Sequence, residues 1–228
     1  MRDAQSSGSS GSSSGGWTTA AWVFGAVCVA LFVYGTAIGD QTLRFWAKPW
    51  PVLILAAAVH RRTDNAYGRL IRNGLVASAV GDIFLELESG FLAGMVAFLI
   101  GHLFYLAAYL KRDRTPRWWL AIPFAIWGLV ILTSLRIGLE AADMLIPVAV
   151  YCVAICAMLW RAWARCRPGV PLDLWIAAWG ATLFAISDSM IAVARFGPGF
   201  VGSDYWIISL YWLGQAGIAY SALRDSGR

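Results

Sequence analysis

Asp82 and Asp188 each stand inside a long apolar run, LVASAVGDIFLEL and WIAAWGATLFAISDSMIAV. A carboxylate near the centre of a bilayer costs at least about 2.5–3.5 kcal/mol on insertion scales, so such a residue is usually kept for a task. Two of them on separate segments point to acid–base chemistry inside a membrane. Buried close together they can share one proton, because two like charges in a low-dielectric site cannot both ionise. One then acts as general acid while the other stabilises positive charge or positions water. Other polar residues keep helical spacing around them. Asp82 and Glu86 are four apart, His102 and Tyr105 three apart, and Tyr211 and Gln215 four apart, so each pair shares a helix face. Lys48 is a lone cation beside an apolar run. Glu86 lies close enough to a helix end to snorkel, and an interfacial role is expected for it. No His/carboxylate or cysteine set has metal-ligand spacing, so neither a metal nor another cofactor is expected, and Cys28, Cys152, Cys156 and Cys166 suggest no disulfide.

The elements that must hold these groups are membrane helices. Hydrophobic residues make up 59% of the 228 and charged residues 14%; the mean hydropathy is +0.63. That is too apolar for a soluble domain. Apolar runs long enough to span a bilayer recur at 18–37, 43–60, 70–87, 90–110, 118–136, 143–162, 174–194 and 204–222. The fold class expected is therefore all-α, a polytopic bundle of about eight transmembrane helices forming one domain over 17–228. Continuous runs of this kind exclude a β-barrel. Residues 1–16, rich in Ser and Gly, form a flexible segment or linker outside that domain. The second run is the weakest, since it contains Lys48, Pro49 and Pro51. Only the turn Glu88-Ser89-Gly90 separates the third run from the fourth, so these two form a helical hairpin.

Lys and Arg positions orient the chain. With a cytoplasmic N-terminus the inner side holds Arg2, Arg61, Arg62, Arg69, Arg72, Lys111, Arg112, Arg114, Arg117, Arg161, Arg165, Arg167, Arg224 and Arg228, fourteen of the eighteen. Only Arg44, Lys48, Arg136 and Arg195 fall outside. This bias obeys the positive-inside rule with both termini cytoplasmic. It also accounts for the net charge of +5 through contacts with membrane lipids, with no nucleic-acid partner required. The expected location is a plasma membrane, of the bacterial inner-membrane type, crossed several times. In this topology Asp82, Asp188, Lys48, His102, Tyr105 and Tyr211 come to similar depths from five different helices, which argues for one site. A short repeat, A-V-G-D-I and A-I-S-D-S, would make the two aspartates symmetry mates in a two-half arrangement.

GDIFLELESGFLAGMVAFLIGHLFYLAAYL, followed by F-A-I-S-D-S, R-F and Y-W-L-G-Q-A, together with Lys48-Pro49, resembles the YhhN-type lysoplasmalogenases over most of the chain after residue 17. That resemblance implies hydrolysis of the vinyl-ether bond of a lysoplasmalogen, with water, to a fatty aldehyde and a glycerophospho-head group. Asp82 and Asp188 would be the acid/base pair. His102 and Tyr105 would orient a carboxylate or the water, Tyr211 and Gln215 would hold ether or glycerol oxygens, and Lys48 would meet the lipid phosphate or tune a carboxylate. The alternative from another class is a proton-coupled transporter using the same intramembrane Asp, His and Lys groups. A structural or lipid-sensing protein would instead tolerate Asn at both aspartates. A retinal photoreceptor is disfavoured, because the last two runs contain no lysine.

Overall fold

Prolines set the break in the second apolar run. Proline lacks an N–H and its ring clashes with the carbonyl four residues back, so it is tolerated only in a first helical turn. The computed structural model, which describes residues 13–225, accordingly ends α2 (Gln41–Ala47) with Lys48 as its cap and starts α3 (Trp50–Arg62) with Pro51 in the first turn. The remaining helices are α1 (Ser13–Ile38), α4 (Ala66–Leu85), α5 (Phe91–Arg112), α6 (Ala121–Ser134), α7 (Arg136–Ala141), α8 (Leu145–Ala164), α9 (Leu172–Phe196) and α10 (Ser203–Leu223). There is no strand among the described residues. Of the Ser/Gly-rich segment 1–16, residues 1–12 lie outside them, and residues 13–16, expected to be flexible, belong to α1. Starts of helices carry side-chain caps where the chain turns sharply: Asp40 accepts from the Leu43 N–H and Asn65 from the Gly68 N–H.

Every apolar run folds as helix, yet the runs are not equivalent. Among the described residues four helices are long and apolar enough to cross a membrane: Thr19–Ile38 of α1, α5, α8 and α9. Two others, α4 and α10, have 20 and 21 residues, or about 30 Å at 1.5 Å per residue. Their apolar character is diluted by polar side chains turned inward: Ser78 and Asp82 on α4, and Gln215 and Ser221 on α10. The fifth run is shorter than expected, with only 14 residues in α6 before Leu135 ends it and α7 begins.

Helices α3, α4, α5, α8, α9 and α10 pack successively on one another, and α10 returns to α3, closing a ring. α1 lies outside against α3, and α6 lies outside against α8. The ring is built from two tight hairpins, α4–α5 and α9–α10. In the second hairpin the backbones nearly touch. A Cβ on Gly214 would lie 2.8 Å from both the Gly180 carbonyl oxygen and the Phe184 nitrogen, a contact with backbone that cannot move aside. Gly214→Ala is therefore expected to lose about 1–3 kcal/mol, the usual cost of overpacking, read as a lower unfolding midpoint in detergent. The hairpins also share a spacing: 23 residues separate Asp82 from Tyr105 and likewise Asp188 from Tyr211.

Candidate active site

Asp82 occupies the last turn of α4 and is buried. Tyr211 of α10 donates its hydroxyl hydrogen to Asp82 Oδ2 at 2.6 Å, while Oδ1 has no hydrogen-bond partner. Asp188 of α9 has a matching donor from another helix: Tyr151 of α8, also at 2.6 Å to Oδ2. His102 Nε2 lies 3.3 Å from that same oxygen. His102 Nδ1 is 2.7 Å from the Phe98 carbonyl, which only accepts, so the hydrogen of the neutral ring belongs on Nδ1. A bare Nε2 would then face a carboxylate oxygen in a dry interior.

Phe184 joins the two carboxylate clusters. Its ring stacks on His102 at 4.6 Å between centroids and lies 5.5 Å from Tyr211, 6.0 Å from Phe98 and 6.4 Å from Tyr105. Phe98 in turn meets Tyr211 edge-on at 5.7 Å. Tyr105 does not reach a carboxylate; its hydroxyl donates to Gln215 Oε1 at 2.6 Å. The residues expected from sequence on α4, α5, α9 and α10 thus line one interior, with no hydrogen bond directly between Asp82 and Asp188 among the described residues. Tyr151 was missed. Its available signal was modest: it carries the only hydroxyl between Leu145 and Ala164. Tyr151→Phe removes that donor without changing shape and is expected to lower turnover about ten-fold, with the unfolding midpoint nearly unchanged.

The expectation that Glu86 snorkels at an interface is corrected. Glu86 is buried, and Lys48 Nζ lies 2.7 Å from its Oε1. Arg44 Nε lies 3.2 Å from its Oε2 and Arg44 also pairs with the exposed Asp204 at 3.0 Å. The break at Lys48-Pro49 explains this, since it turns both cations inward from α2 over the end of α4. Lys48 is thereby engaged by Glu86.

An apolar cleft runs to Asp188 from the same end of the bundle, between α4, α5, α8 and α9. Met95, Phe98, Val148, Tyr151 and Ile191 line it, and Asp188 is its only charged wall residue. The lining is apolar except at this carboxyl group, the chemistry that suits an aliphatic ligand with one polar atom. Among the described residues no group of three or more His, Cys, Asp or Glu could hold a metal ion. Residues 43–222 match the YhhN family. The chain belongs to that family. Within the family's matched range lie all of the site residues named above, from Arg44 to Gln215. Lysoplasmalogenase TMEM86B of Homo sapiens is 34% identical over 189 residues, covering 82% of this chain and 79% of that protein. A lysoplasmalogenase of Mycobacterium tuberculosis (strain CDC 1551 / Oshkosh) is 30% identical over 215 residues, covering 87% and 78%. No solved structure matches the chain.

Proposed function

We propose that this YhhN-family protein is an integral-membrane lysoplasmalogen hydrolase that cleaves the vinyl-ether bond with Asp188 as general acid. The observation carrying the reading is Asp188 at the apolar cleft, bonded to Tyr151 and facing His102 Nε2. The names of the relatives, lysoplasmalogenases covering most of the chain, support the substrate class.

The chemistry follows from the polarity of a vinyl ether, whose electron-rich carbon is the alkene carbon distal to oxygen. The Asp188 carboxyl gives its proton to that carbon, forming a C–H bond, and the alkene electrons leave an oxocarbenium ion. Water adds to the carbon next to oxygen and loses a proton, giving a hemiacetal. Collapse of the hemiacetal breaks the carbon–oxygen bond, releasing a fatty aldehyde and the protonated glycerol oxygen. The carboxylate of Asp82 stabilises the cation across the Phe184 and Phe98 rings and accepts the proton of the attacking water. As the hemiacetal collapses, the carboxylate of Asp188 takes the proton of its hydroxyl while Asp82 gives the one it gained to the glycerol oxygen, so both acids are restored, and His102 Nε2 orients the Asp188 carboxyl. Tyr211 and Tyr151 fix the two carboxylates by one hydrogen bond each.

In the membrane the chain crosses eight times, with α2 and α3 together forming the second crossing and both termini on the cytoplasmic side. The distribution of Lys and Arg supports this orientation, which puts the cleft mouth toward the outer face. Purified protein in detergent, given lysoplasmalogen, is expected to release fatty aldehyde. Well-folded protein that yields none would overturn the assignment.

A further inference from the structure

Arg165 closes α8 at the end of the bundle opposite the cleft, and it is 2% exposed. Its guanidinium stacks over the Tyr109 ring at 4.0 Å, and Nη1 donates to the Tyr67 hydroxyl at 3.4 Å. Nε and Nη2 have no hydrogen-bond partner, nor has the Tyr109 hydroxyl. No carboxylate pairs with Arg165 among the described residues. Its neighbours differ: Arg112 pairs with Asp225, and Arg167 lies 3.5 Å from Asp113. A buried guanidinium with unmet donors and no counter-charge is costly, and its ordinary remedy is a bound anion.

A cavity of about 260 Å³, partly open to solvent, adjoins it. Three arginines (Arg112, Arg165, Arg167) and three aspartates (Asp113, Asp173, Asp225) line it, so the wall is formally neutral while Arg165 alone lacks a carboxylate partner. A single unmet positive charge suits a monoanion better than a dianion. Guanidinium matches phosphate oxygens through paired N–H donors. The carboxylates of the same wall suit a cationic amine attached to that phosphate. Along α5 the site is separated from His102 by the seven residues to Tyr109, about 10 Å.

We propose that this cavity is a second head-group site, which binds a zwitterionic aminoalkyl phosphodiester with its phosphate on Arg165. The phosphodiester is either lipid-borne or free, and the site does not depend on the hydrolysis proposed above.

Calorimetric titration of the purified full chain in a non-phospholipid detergent tests it. The probes are glycerophosphoethanolamine, dihexanoyl phosphatidylethanolamine and inorganic phosphate. At least one phosphodiester is expected to bind wild type and Asp188→Asn equally, with inorganic phosphate weaker. Binding of glycerophosphoethanolamine identifies a free head group as sufficient, whereas binding of the dihexanoyl lipid alone identifies a membrane lipid. Arg165→Gln is expected to weaken binding at least about ten-fold. Arg167→Ala, whose side chain is half exposed, weakens it about two- to five-fold and serves if Arg165→Gln does not fold. Absence of phosphodiester binding to folded wild type overturns the site. So does affinity unchanged in a folded Arg165→Gln or, failing that variant, in Arg167→Ala. Phosphate binding as tightly as the phosphodiesters overturns the zwitterionic assignment.

Discussion

Asp188→Asn is expected to lower aldehyde release from lysoplasmalogen by about 10²–10⁴-fold, the range supplied by a well-placed general acid. The amide keeps the volume of the carboxyl and an oxygen that can still accept from Tyr151, so the fold should persist. What it lacks is a proton acidic enough to transfer to carbon. An interaction made only in the transition state lowers kcat and kcat/KM together, so the cleft should still fill at similar lipid concentrations. Asp82→Asn, which keeps the bond from Tyr211, is expected to follow the same pattern through loss of the charge facing the cation. Steady-state kinetics on both variants, with circular dichroism and unfolding midpoints alongside, decide the matter. Near-normal turnover in Asp188→Asn would remove it as the acid.

Glu86→Ala should produce the largest loss of stability, about 3–5 kcal/mol, because it strips the partner from cations at a buried site. The Glu86 side chain is only 5% exposed and that of Lys48 only 12%, so water cannot readily take its place. Arg44 keeps Asp204, whereas Lys48 keeps no other carboxylate within ion-pair distance among the described residues. Glu86→Gln retains shape and an accepting oxygen and should lose less. Unfolding in detergent measures both variants, and a midpoint unchanged in Glu86→Ala would show that this network adds nothing to stability.

Much of this site was legible in the chain because charge is conspicuous in an apolar run. Asp82, Asp188, His102 and Lys48 stand out by type alone, and the turn Glu88-Ser89-Gly90 announces the α4–α5 hairpin that brings Asp82 and His102 into one interior. Pairings were not legible. Nothing in sequence joins Tyr211 to Asp82 across 129 residues, and Tyr151 looks ordinary until α8 is known to pack on α9. Glu86 was misread for a similar reason: its position near a helix end suggests exposure, and only the fold of α2 over that end shows two cations meeting it. Run length also misled at α6, where apolar residues continue but the helix stops at Ser134.

The equal spacing in the two hairpins has a consequence for how two like acids acquired unlike neighbours. Counting twenty residues on from Asp82 reaches His102; counting twenty on from Asp188 reaches Ile208. His102, on the first hairpin, faces the acid of the second, so the reciprocal partner for Asp82 would be Ile208, which has no proton to share. The equally spaced tyrosines part in the same way, since Tyr211 reaches Asp82 whereas Tyr105 reaches Gln215 and Asp188 is met by Tyr151. A repeated spacing has thus been furnished with unlike side chains, so that only one of the two acids meets an imidazole.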